Sequence, residues 1–264
     1  MVDRLARSPQ HVVITGASSG LGASLARYYA KRRVMISLLG RDSVRTATIA
    51  RQCQEAGAQV FPETGNISDS DFMKRWLDNC DARLPVDLVI ANAGVGGRFA
   101  MAGESGETVG VAQEIFATNL FGVANTILPI LPRFVKRRKG HLVLMSSLAG
   151  YVGLPDAPAY SASKAAVRVY GDGLRRLLAP HSIYVSVVCP GFVRTPMSAG
   201  IPGNLPFLWK SDRAARYIAE RIARGRREIA FPWPLSMLTR IASMLPAPVL
   251  DSILGRVRRN PGNA

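Results

Sequence analysis

Short apolar segments, of the kind that form buried strands, alternate with amphipathic helix-like segments along most of this chain. The apolar segments are continuous rather than alternating in hydrophobicity, which is typical of strands covered on both faces. Strand-like segments span 11–15, 34–39, 58–62, 86–92, 141–147, 183–189 and 227–231, and helix-like segments span 21–32, 43–56, 69–80, 108–138, 159–179 and 211–224. This order predicts an α/β fold: a doubly wound parallel sheet of about seven strands with helices on both faces.

The domain organisation is indicated by the length of the chain and by the unbroken alternation of strand-like and helix-like segments. The chain has 264 residues and shows no internal repeat or flexible linker, so we expect one Rossmann-like domain over residues 1–264. The βα alternation occupies residues 10–196. Residues 197–264 are expected to form a loop over the substrate and then a variable C-terminal segment.

Cysteine and histidine usage bears on the compartment and on metal binding. Cys53, Cys80 and Cys189 are isolated, and neither they nor the three scattered histidines have metal-ligand spacing. We therefore expect no metal site and a reducing, cytoplasmic setting. The N-terminus lacks the apolar region of a signal peptide, and no run of 18 apolar residues predicts a transmembrane helix.

The net charge of +16 is large, and much of it is clustered at residues 133–140 and 210–259. Solvated helix faces are one explanation; an anionic membrane surface, nucleic acid, or an anionic cofactor or substrate are the others. No nucleic-acid-binding motif accompanies the charge, so nucleic acid is not an expected partner. The apolar stretch 231–250, followed by the basic stretch 255–260, fits either peripheral membrane contact or a subunit interface.

A glycine-rich stretch, TGASSGLG at residues 15–22, follows the first strand and opens the first helix. Gly16, Gly20 and Gly22 allow a tight turn and a close backbone approach. The start of the helix offers free N–H groups and a positive dipole, which suit a pyrophosphate. The spacing is not GxGxxG, so a glycine-rich loop without a ligand remains an alternative.

A tyrosine and a lysine lie four residues apart in the predicted helix 159–179. Helical spacing puts the phenol of Tyr160 and the ammonium of Lys164 on one face. Free tyrosine titrates near ~10, and an adjacent positive charge favours its phenolate. In a cleft such a pair would be an acid-base catalyst with a lowered pKa; on the surface it would need no function.

Five motifs in chain order resemble those of the short-chain dehydrogenase/reductase family. They are TGxxxGxG at 15–22, ANAG at 91–94, Asn119 within ATNLFG, Ser147 followed by YxxxK at 160–164, and PGFVRT at 190–195. The resemblance covers about residues 10–196. It implies a nicotinamide cofactor, a carbonyl or alcohol substrate, and a homodimer or homotetramer.

The resemblance also assigns roles to residues. Tyr160 would exchange a proton with the substrate oxygen, and Ser147 would hold that oxygen. Lys164 would tune Tyr160 and bind the nicotinamide ribose, and Asn119 would help to hold a water in the proton relay. The cofactor-binding residues, Arg41 included, would be Gly16, Ser18, Ser19, Gly20, Leu21, Gly22, Arg41, Asn66, Ile67, Asn92, Ala93, Gly94, Tyr160, Lys164, Pro190, Gly191, Val193 and Thr195.

The end of the second strand, LLGRD at residues 38–42, bears on the choice of cofactor. An NAD site of this type usually places a carboxylate there to accept from the ribose 2′-OH. Here Gly40 occupies that position and Arg41 follows, and a guanidinium suits a 2′-phosphate. We expect NADP(H) rather than NAD(H), with Asp42 as the alternative because a small shift of the loop would offer its carboxylate.

The loop after the sixth strand, residues 196–209, is apolar and predicts either a hydrophobic substrate or a lid that packs on the core. Its large apolar residues are Met197, Ile201, Leu205, Phe207, Leu208 and Trp209. Two other functions compete with an NADP(H)-dependent oxidoreductase. One is a cofactor-binding sensor or scaffold with weak catalysis, and the other is an interaction protein that binds anionic surfaces through its basic tail.

Overall fold

The computed structural model describes residues 9–96, 107–201 and 204–259, the last six by their backbone. Its strands are β1 (His11–Thr15), β2 (Met35–Gly40), β3 (Gln59–Thr64), β4 (Leu88–Ala91), β5 (His141–Met145), β6 (Tyr184–Pro190), β7 (Val193–Arg194), β8 (Trp209–Lys210) and β9 (Glu228–Phe231). Seven of them form one parallel sheet in the order β3-β2-β1-β4-β5-β6-β9, and β7 pairs with β8 apart from it. The predicted doubly wound sheet of about seven strands is confirmed.

The helices connect the strands across both faces of this sheet. They are α1 (Gly20–Ala30), α2 (Ser43–Glu55), α3 (Ser70–Arg83), α4 (Val109–Phe116), α5 (Gly122–Ile127), α6 (Leu131–Arg137), α7 (Pro158–Leu178), α8 (Ser211–Ile222), α9 (Trp233–Ala242) and α10 (Ala247–Arg259). A five-residue π-helical turn, Ala117–Phe121, joins α4 to α5. Together with α6 these elements run as the single long helix Val109–Arg137 that the sequence predicts.

The continuous apolar strands are explained by a core on each face of the sheet. Along β1, Val12 and Ile14 pack into one cluster with α1, α2 and α8, whereas Val13 packs into the other with α3, α5 and α7. Successive side chains of a strand point to opposite faces. Both faces are therefore buried, and no position of the strand can be polar without a partner.

The basic cluster at residues 133–140 is largely engaged in ion pairs within the fold. Arg137 forms a bidentate pair with Asp81 (2.7 and 2.9 Å), and Lys139 lies 2.8 Å from Asp87. Both carboxylates are at most one tenth exposed. Partly buried, bidentate pairs act on stability far more than exposed ones do. The cluster is thus explained by structure without an anionic partner.

Among the described residues, only the helix Val109–Arg137 is long and apolar enough to cross a membrane. Its residues Ile127, Ile130 and Phe134 are fully buried in the cluster shared with α3 and α7. That burial identifies it as a core helix of this fold.

Candidate active site

The carboxyl ends of the parallel strands meet at one edge of the sheet, where they surround a cavity of about 540 Å³. Of the residues predicted to bind cofactor or to catalyse, all but Gly22 and Asn119 line it. They come from six separate strand ends and from the first turns of α1 and α7. The topology therefore brings together residues that are up to 180 positions apart, Gly16 and Thr195 among them.

The glycine-rich turn has the shape of a cradle for a phosphate group. Gly16 has φ +67°, and a Cβ there would lie 2.6 Å from the Cα of Ala93. A Cβ on Gly22 would lie 2.2 Å from the carbonyl oxygen of Gly16. At the start of α1, Ser19 makes no capping bond with its side chain. The first N–H groups of α1 are thus not taken by this cap and can bind an anion.

Asn92 stabilises this turn from the neighbouring strand end. Its Nδ2 donates to the carbonyl oxygens of Thr15 (3.0 Å) and Gly16 (3.2 Å). The Oγ1 of Thr15 accepts in return from the backbone N–H groups of Asn92 and Ala93, both at 3.2 Å. Asn92 lines the cavity, and its amide holds the shape of the turn.

Ser147 follows β5, and Tyr160 and Lys164 lie in the first two turns of α7. The side chains of Ser147 and Tyr160 both line the cavity, where the Oγ of Ser147 donates to the carbonyl oxygen of Pro190 (3.4 Å) and accepts from the backbone N–H of Ala149 (3.1 Å). Lys164 is only 5% exposed, and its Nζ donates to the carbonyl oxygen of Met145 at 3.0 Å. Burial lowers the pKa of Lys164 to about 8.

The expectation of a lowered pKa for Tyr160 is wrong for the groups of the protein itself. Burial raises the pKa of the phenol, and the nearby hydroxyl of Ser147 offsets this only in part. The ammonium of Lys164 lies 5.6 Å from the centre of the ring and is bonded to Met145. Desolvation of the phenolate therefore outweighs the neighbouring charge, and Tyr160 is protonated at neutral pH.

Asn119 is fully buried in the π-helical turn between α4 and α5. Its Nδ2 donates to Val95 O (2.9 Å) and to Ser163 Oγ (3.2 Å), and its Oδ1 accepts from Val95 N (2.8 Å). A Cβ on Gly94 would lie 3.0 Å from this Oδ1 and 3.4 Å from the Nζ of Lys164. Asn119 thus fixes the loop after β4 beside Lys164; its role in a proton relay stays a prediction.

At the end of β2, the carboxylate of Asp42, which is the alternative acceptor for the ribose 2′-OH, already has hydrogen-bond partners. Asp42 caps α2, because its carboxylate accepts from the backbone N–H of Arg45 (2.8 Å) and from its Nε (2.7 Å). The backbone N–H of Arg45 lowers the pKa of Asp42, so the carboxylate is ionised and paired. Arg41 and Arg45 both line the cavity.

Arg45 is a cavity residue that the sequence reading missed. The sequence did contain an indication of its place. Asp42 directly precedes the predicted helix, and an aspartate there commonly caps the N–H of the residue three positions on, which is Arg45. The turn of α1 comes close to this corner: a Cβ on Gly40 would lie 2.9 Å from the Cβ of Ser18. Ser18, Arg41 and Arg45 therefore surround one end of the cavity.

The remaining predicted residues complete the walls. Asn66 accepts from Ser68 N at 3.0 Å through its Oδ1, which fixes the loop after β3, and Ile67 beside it is buried. At the end of β6, Pro190, Gly191 and Val193 line the cavity. Thr195 follows them and lies against the glycine-rich turn, since a Cβ on Gly20 would be 3.1 Å from its side chain.

The family model for short chain dehydrogenases matches residues 10–204 of this sequence. The chain belongs to the short-chain dehydrogenase family. An uncharacterized oxidoreductase of Myxococcus xanthus is 38% identical over 247 residues, which cover 93% of this chain and 96% of that protein. This result confirms the family that the sequence motifs predicted.

Solved structures of similar proteins contain either nicotinamide cofactor. A short-chain dehydrogenase from Sphingobium yanoikuyae in complex with NADPH has a TM-score of 0.76 and 25% identity, and covers 96% of each chain. A 3-oxoacyl-[acyl-carrier protein] reductase with bound NAD from Brucella melitensis shares the fold, with a TM-score of 0.74 and 24% identity over 86% of this chain and 91% of its own. The choice of cofactor therefore depends on the residues of each chain.

In this short-chain dehydrogenase, the apolar loop 196–209 divides between the two alternatives that the sequence left open, a wall of the substrate site and a lid packed on the core. Met197 and Ile201 line the cavity, but Leu205, Phe207, Leu208 and Trp209 do not. Trp209 packs in the core against Tyr217 and Phe231, with ring centres 5.2 and 5.0 Å apart, because β8 pairs with β7 and turns the ring inward. Phe207 is 56% exposed.

Helix α9 contributes a wall of the cavity that no motif predicted. Leu235 and Thr239, one turn apart, line the cavity, and Leu235 packs against the cluster that contains Leu148 of the loop after β5. That loop supplies Leu148, Val152 and Leu154. The part of the cavity beyond Tyr160 is thus enclosed mainly by apolar side chains from three distant segments.

The cradle formed by Gly16 and Gly22, the unblocked start of α1 and the hydroxyl-bearing end of β5 fit the dinucleotide of this family. A bound nicotinamide cofactor supplies the hydride in such enzymes. The chain itself supplies the proton-bearing groups, Ser147, Tyr160 and Lys164, in the same cavity.

Proposed function

We propose that this protein is an NADP(H)-dependent oxidoreductase that interconverts a ketone or aldehyde and an alcohol, with Tyr160 as general acid and base. The observation that carries the proposal is that Ser147, Tyr160 and Lys164 line the same cavity as the glycine-rich turn. Both the phosphate cradle and the proton-bearing groups thus lie in one cavity.

In the direction of reduction, the substrate oxygen accepts hydrogen bonds from Ser147 and Tyr160. Tyr160 then gives its proton to that oxygen as the carbonyl becomes an alcohol. The raised pKa of Tyr160 keeps this proton in place at neutral pH until the oxygen gains negative charge. The buried ammonium of Lys164 stabilises the phenolate that remains.

The preference for NADP(H) is supported by the charges at the end of β2. Arg41, Asp42 and Arg45 all line the cavity, and the carboxylate of Asp42 is taken by the cap of α2 and by its ion pair with Arg45. A 2′-phosphate gains charge-assisted hydrogen bonds from guanidinium groups, whereas a ribose 2′-OH needs a free acceptor. The structure of the Sphingobium relative with NADPH agrees with this preference.

An apolar carbonyl substrate is supported by the walls beyond Tyr160. Leu148, Val152, Met197, Ile201 and Leu235 surround this part of the cavity. Apolar surface favours substrates whose own apolar groups are removed from water on binding.

A fluorescence titration with NADPH and NADH in parallel, followed by NADPH consumption with apolar ketones and aldehydes, tests the proposal. Tighter binding of NADPH, and turnover that depends on the carbonyl compound, are expected. Tighter binding of NADH would contradict the cofactor assignment. Binding without turnover of any carbonyl compound would favour the alternative, a cofactor-binding sensor with weak catalysis.

We also propose a cytoplasmic homodimer or homotetramer that contacts the inner membrane surface through residues 231–260. Within this stretch α9 exposes Trp233 (72%) and Leu238 (63%), with Met237, Ile241 and Met244 also exposed. An apolar helix face that bears a tryptophan, in a strongly basic chain, suits an anionic bilayer surface. The basic residues 254–259 have no described side chains, and residue 260 lies outside the described residues.

Co-sedimentation with vesicles that contain anionic lipid tests this contact. Truncation at residue 231 would remove the buried Phe231 and a cavity wall, so exposed point substitutions are the better probe. The double variant W233S/L238S is expected to lose vesicle binding at least several-fold. The matched control V44S/L177S, which changes two equally exposed residues elsewhere, is expected to keep it. Equal binding by both variants would contradict the contact.

A further inference from the structure

A second cavity, open to solvent and about 620 Å³ in volume, adjoins the active-site cavity. Its walls are the loop after β5, the first turns of α7 and, at its far end, α10 through Asp251. The two cavities share Ala149, Val152 and Leu154 as lining residues. The second cavity therefore adjoins the first at this loop, and we name it the chain groove.

The chain groove is lined mainly by apolar side chains. Its aliphatic lining includes Val152, Leu154, Pro155, Pro158 and Ala162. Two of the polar side chains that line it already have partners: Ser161 Oγ accepts from Leu154 N at 3.1 Å, and the hydroxyl of Tyr151 donates to Glu228; the carboxylate of Asp251 in α10 is the charged group of the lining. The groove thus offers apolar contact area and few unpaired polar groups, which suits a hydrocarbon chain.

The groove has apolar wall area that is open to solvent, and it adjoins the active-site cavity. Leu154 is 36% exposed and Pro155 and Pro158 are exposed, so apolar wall area remains in contact with solvent. Val152 and Leu154 stand at the junction with the active-site cavity. A molecule whose reacting carbon lies at Tyr160 would therefore extend its remaining atoms past these two side chains.

We propose that the chain groove binds the hydrocarbon chain of the substrate, which makes that substrate a long-chain ketone or aldehyde. This inference rests on the proposed function, since it takes Tyr160 as the group that meets the carbonyl. The chain occupies the groove from Val152 and Leu154 outward, between the loop 151–155 and α7. The carbonyl remains in the active-site cavity beside Ser147.

Kinetics with 2-alkanones of four to twelve carbons test the groove. Each methylene that is buried is expected to raise kcat/KM by about fourfold until the groove is filled, which is the free energy of burying one CH₂ group expressed as a rate ratio. Gly153 lines the groove but not the active-site cavity, and among the described residues no atom would lie within 4 Å of a Cβ there, so we use Gly153→Phe to place a ring at the groove.

Gly153→Phe is expected to lower kcat/KM at least tenfold more for the twelve-carbon ketone than for the four-carbon ketone. The matched control Gly173→Phe, also at an open glycine but on the far part of α7, is expected to change neither. Ala162→Phe fills the same groove from α7 if the first variant does not fold. A wild-type rate that does not depend on chain length, or equal losses in blocked and control variants, would overturn the proposal.

Calorimetric binding of 1-dodecanol and 1-butanol separates the failure of the groove from the failure of the proposed function. The groove predicts that 1-dodecanol binds to the wild type and to Gly173→Phe, and at least tenfold more weakly to Gly153→Phe. If no ketone is reduced but this pattern holds, the proposed reaction is wrong and the groove stands. If ketones are reduced but 1-dodecanol binds no better than 1-butanol, the groove is wrong and the reaction stands.

Discussion

Replacement of Tyr160 by phenylalanine is expected to lower kcat for carbonyl reduction by about two to four orders of magnitude, the usual contribution of a positioned general acid. The substitution removes the proton donor, but it leaves the ring and the cradle at Gly16 and Gly22 in place. The dissociation constant of NADPH is therefore expected to change by less than about threefold. Steady-state kinetics and a fluorescence titration measure the two quantities.

The matched control is Tyr170→Phe, which removes a hydroxyl from the same helix outside the cavity and is expected to keep activity.

The pH dependence of the wild-type rate is a second test of the role of Tyr160. Tyr160 is protonated at neutral pH, so reduction should be level there and fall as pH rises through about 8, where Lys164 loses its positive charge. Alcohol oxidation needs the phenolate and should rise with pH. If the activity of Tyr160→Phe is within tenfold of the wild-type activity, Tyr160 is not the general acid.

The double variant R41A/R45A is expected to weaken NADPH binding by about 100-fold or more. A hydrogen bond to a charged group is worth ~1.5–3 kcal/mol, which is roughly 10- to 150-fold in a dissociation constant for each guanidinium. Loss of Arg45 also removes the side-chain partner of Asp42, whose carboxylate then becomes available to a ribose 2′-OH. Binding of NADH is therefore expected to be unchanged or tighter, so that the preference inverts.

Parallel titrations of both cofactors measure this change. Arg51→Ala is the matched control, because it removes an exposed guanidinium from the same helix α2 without touching the cavity. It is expected to leave both dissociation constants unchanged. If R41A/R45A weakens NADPH and NADH equally, the two arginines act on the shape of the loop and not on the 2′-phosphate.

The order of elements and the edge at which the site lies were predictable from the sequence. Continuous apolar runs such as 34–39 can be stable only when both of their faces are buried, and a parallel sheet with helices on both sides provides that. Parallel strands end at the same edge, so residues that follow them, Ser147 among them, meet there whatever the details of packing. The glycine spacing at 15–22 fixed the position of the turn for the same local reason.

The ion-pair partners of the charged side chains and the pKa shift of Tyr160 could be found only from the tertiary structure. Asp81 and Asp87 lie some 50 residues from the basic cluster at 133–140, and nothing in the sequence indicates that they pair with it. The direction of the pKa shift of Tyr160 was likewise mistaken. Four-residue spacing shows that an ammonium is near, but it cannot show how far burial disfavours the phenolate or that Lys164 donates to Met145 instead.

Local chemistry, which depends on residues close in the chain, was determined by the sequence alone: the strands, the glycine-rich turn, the Ser147 and Tyr160 spacing, and the arginine after β2. The substrate side was decided only by tertiary structure. Whether Trp209 faces the core or the cavity, and whether α9 closes a wall with Leu235 and Thr239, depends on how separate segments pack. The sequence does not show which way an apolar side chain faces. The hydrophobic effect favours apolar residues both in a protein core and against an apolar substrate, so the same residue types occur in both places.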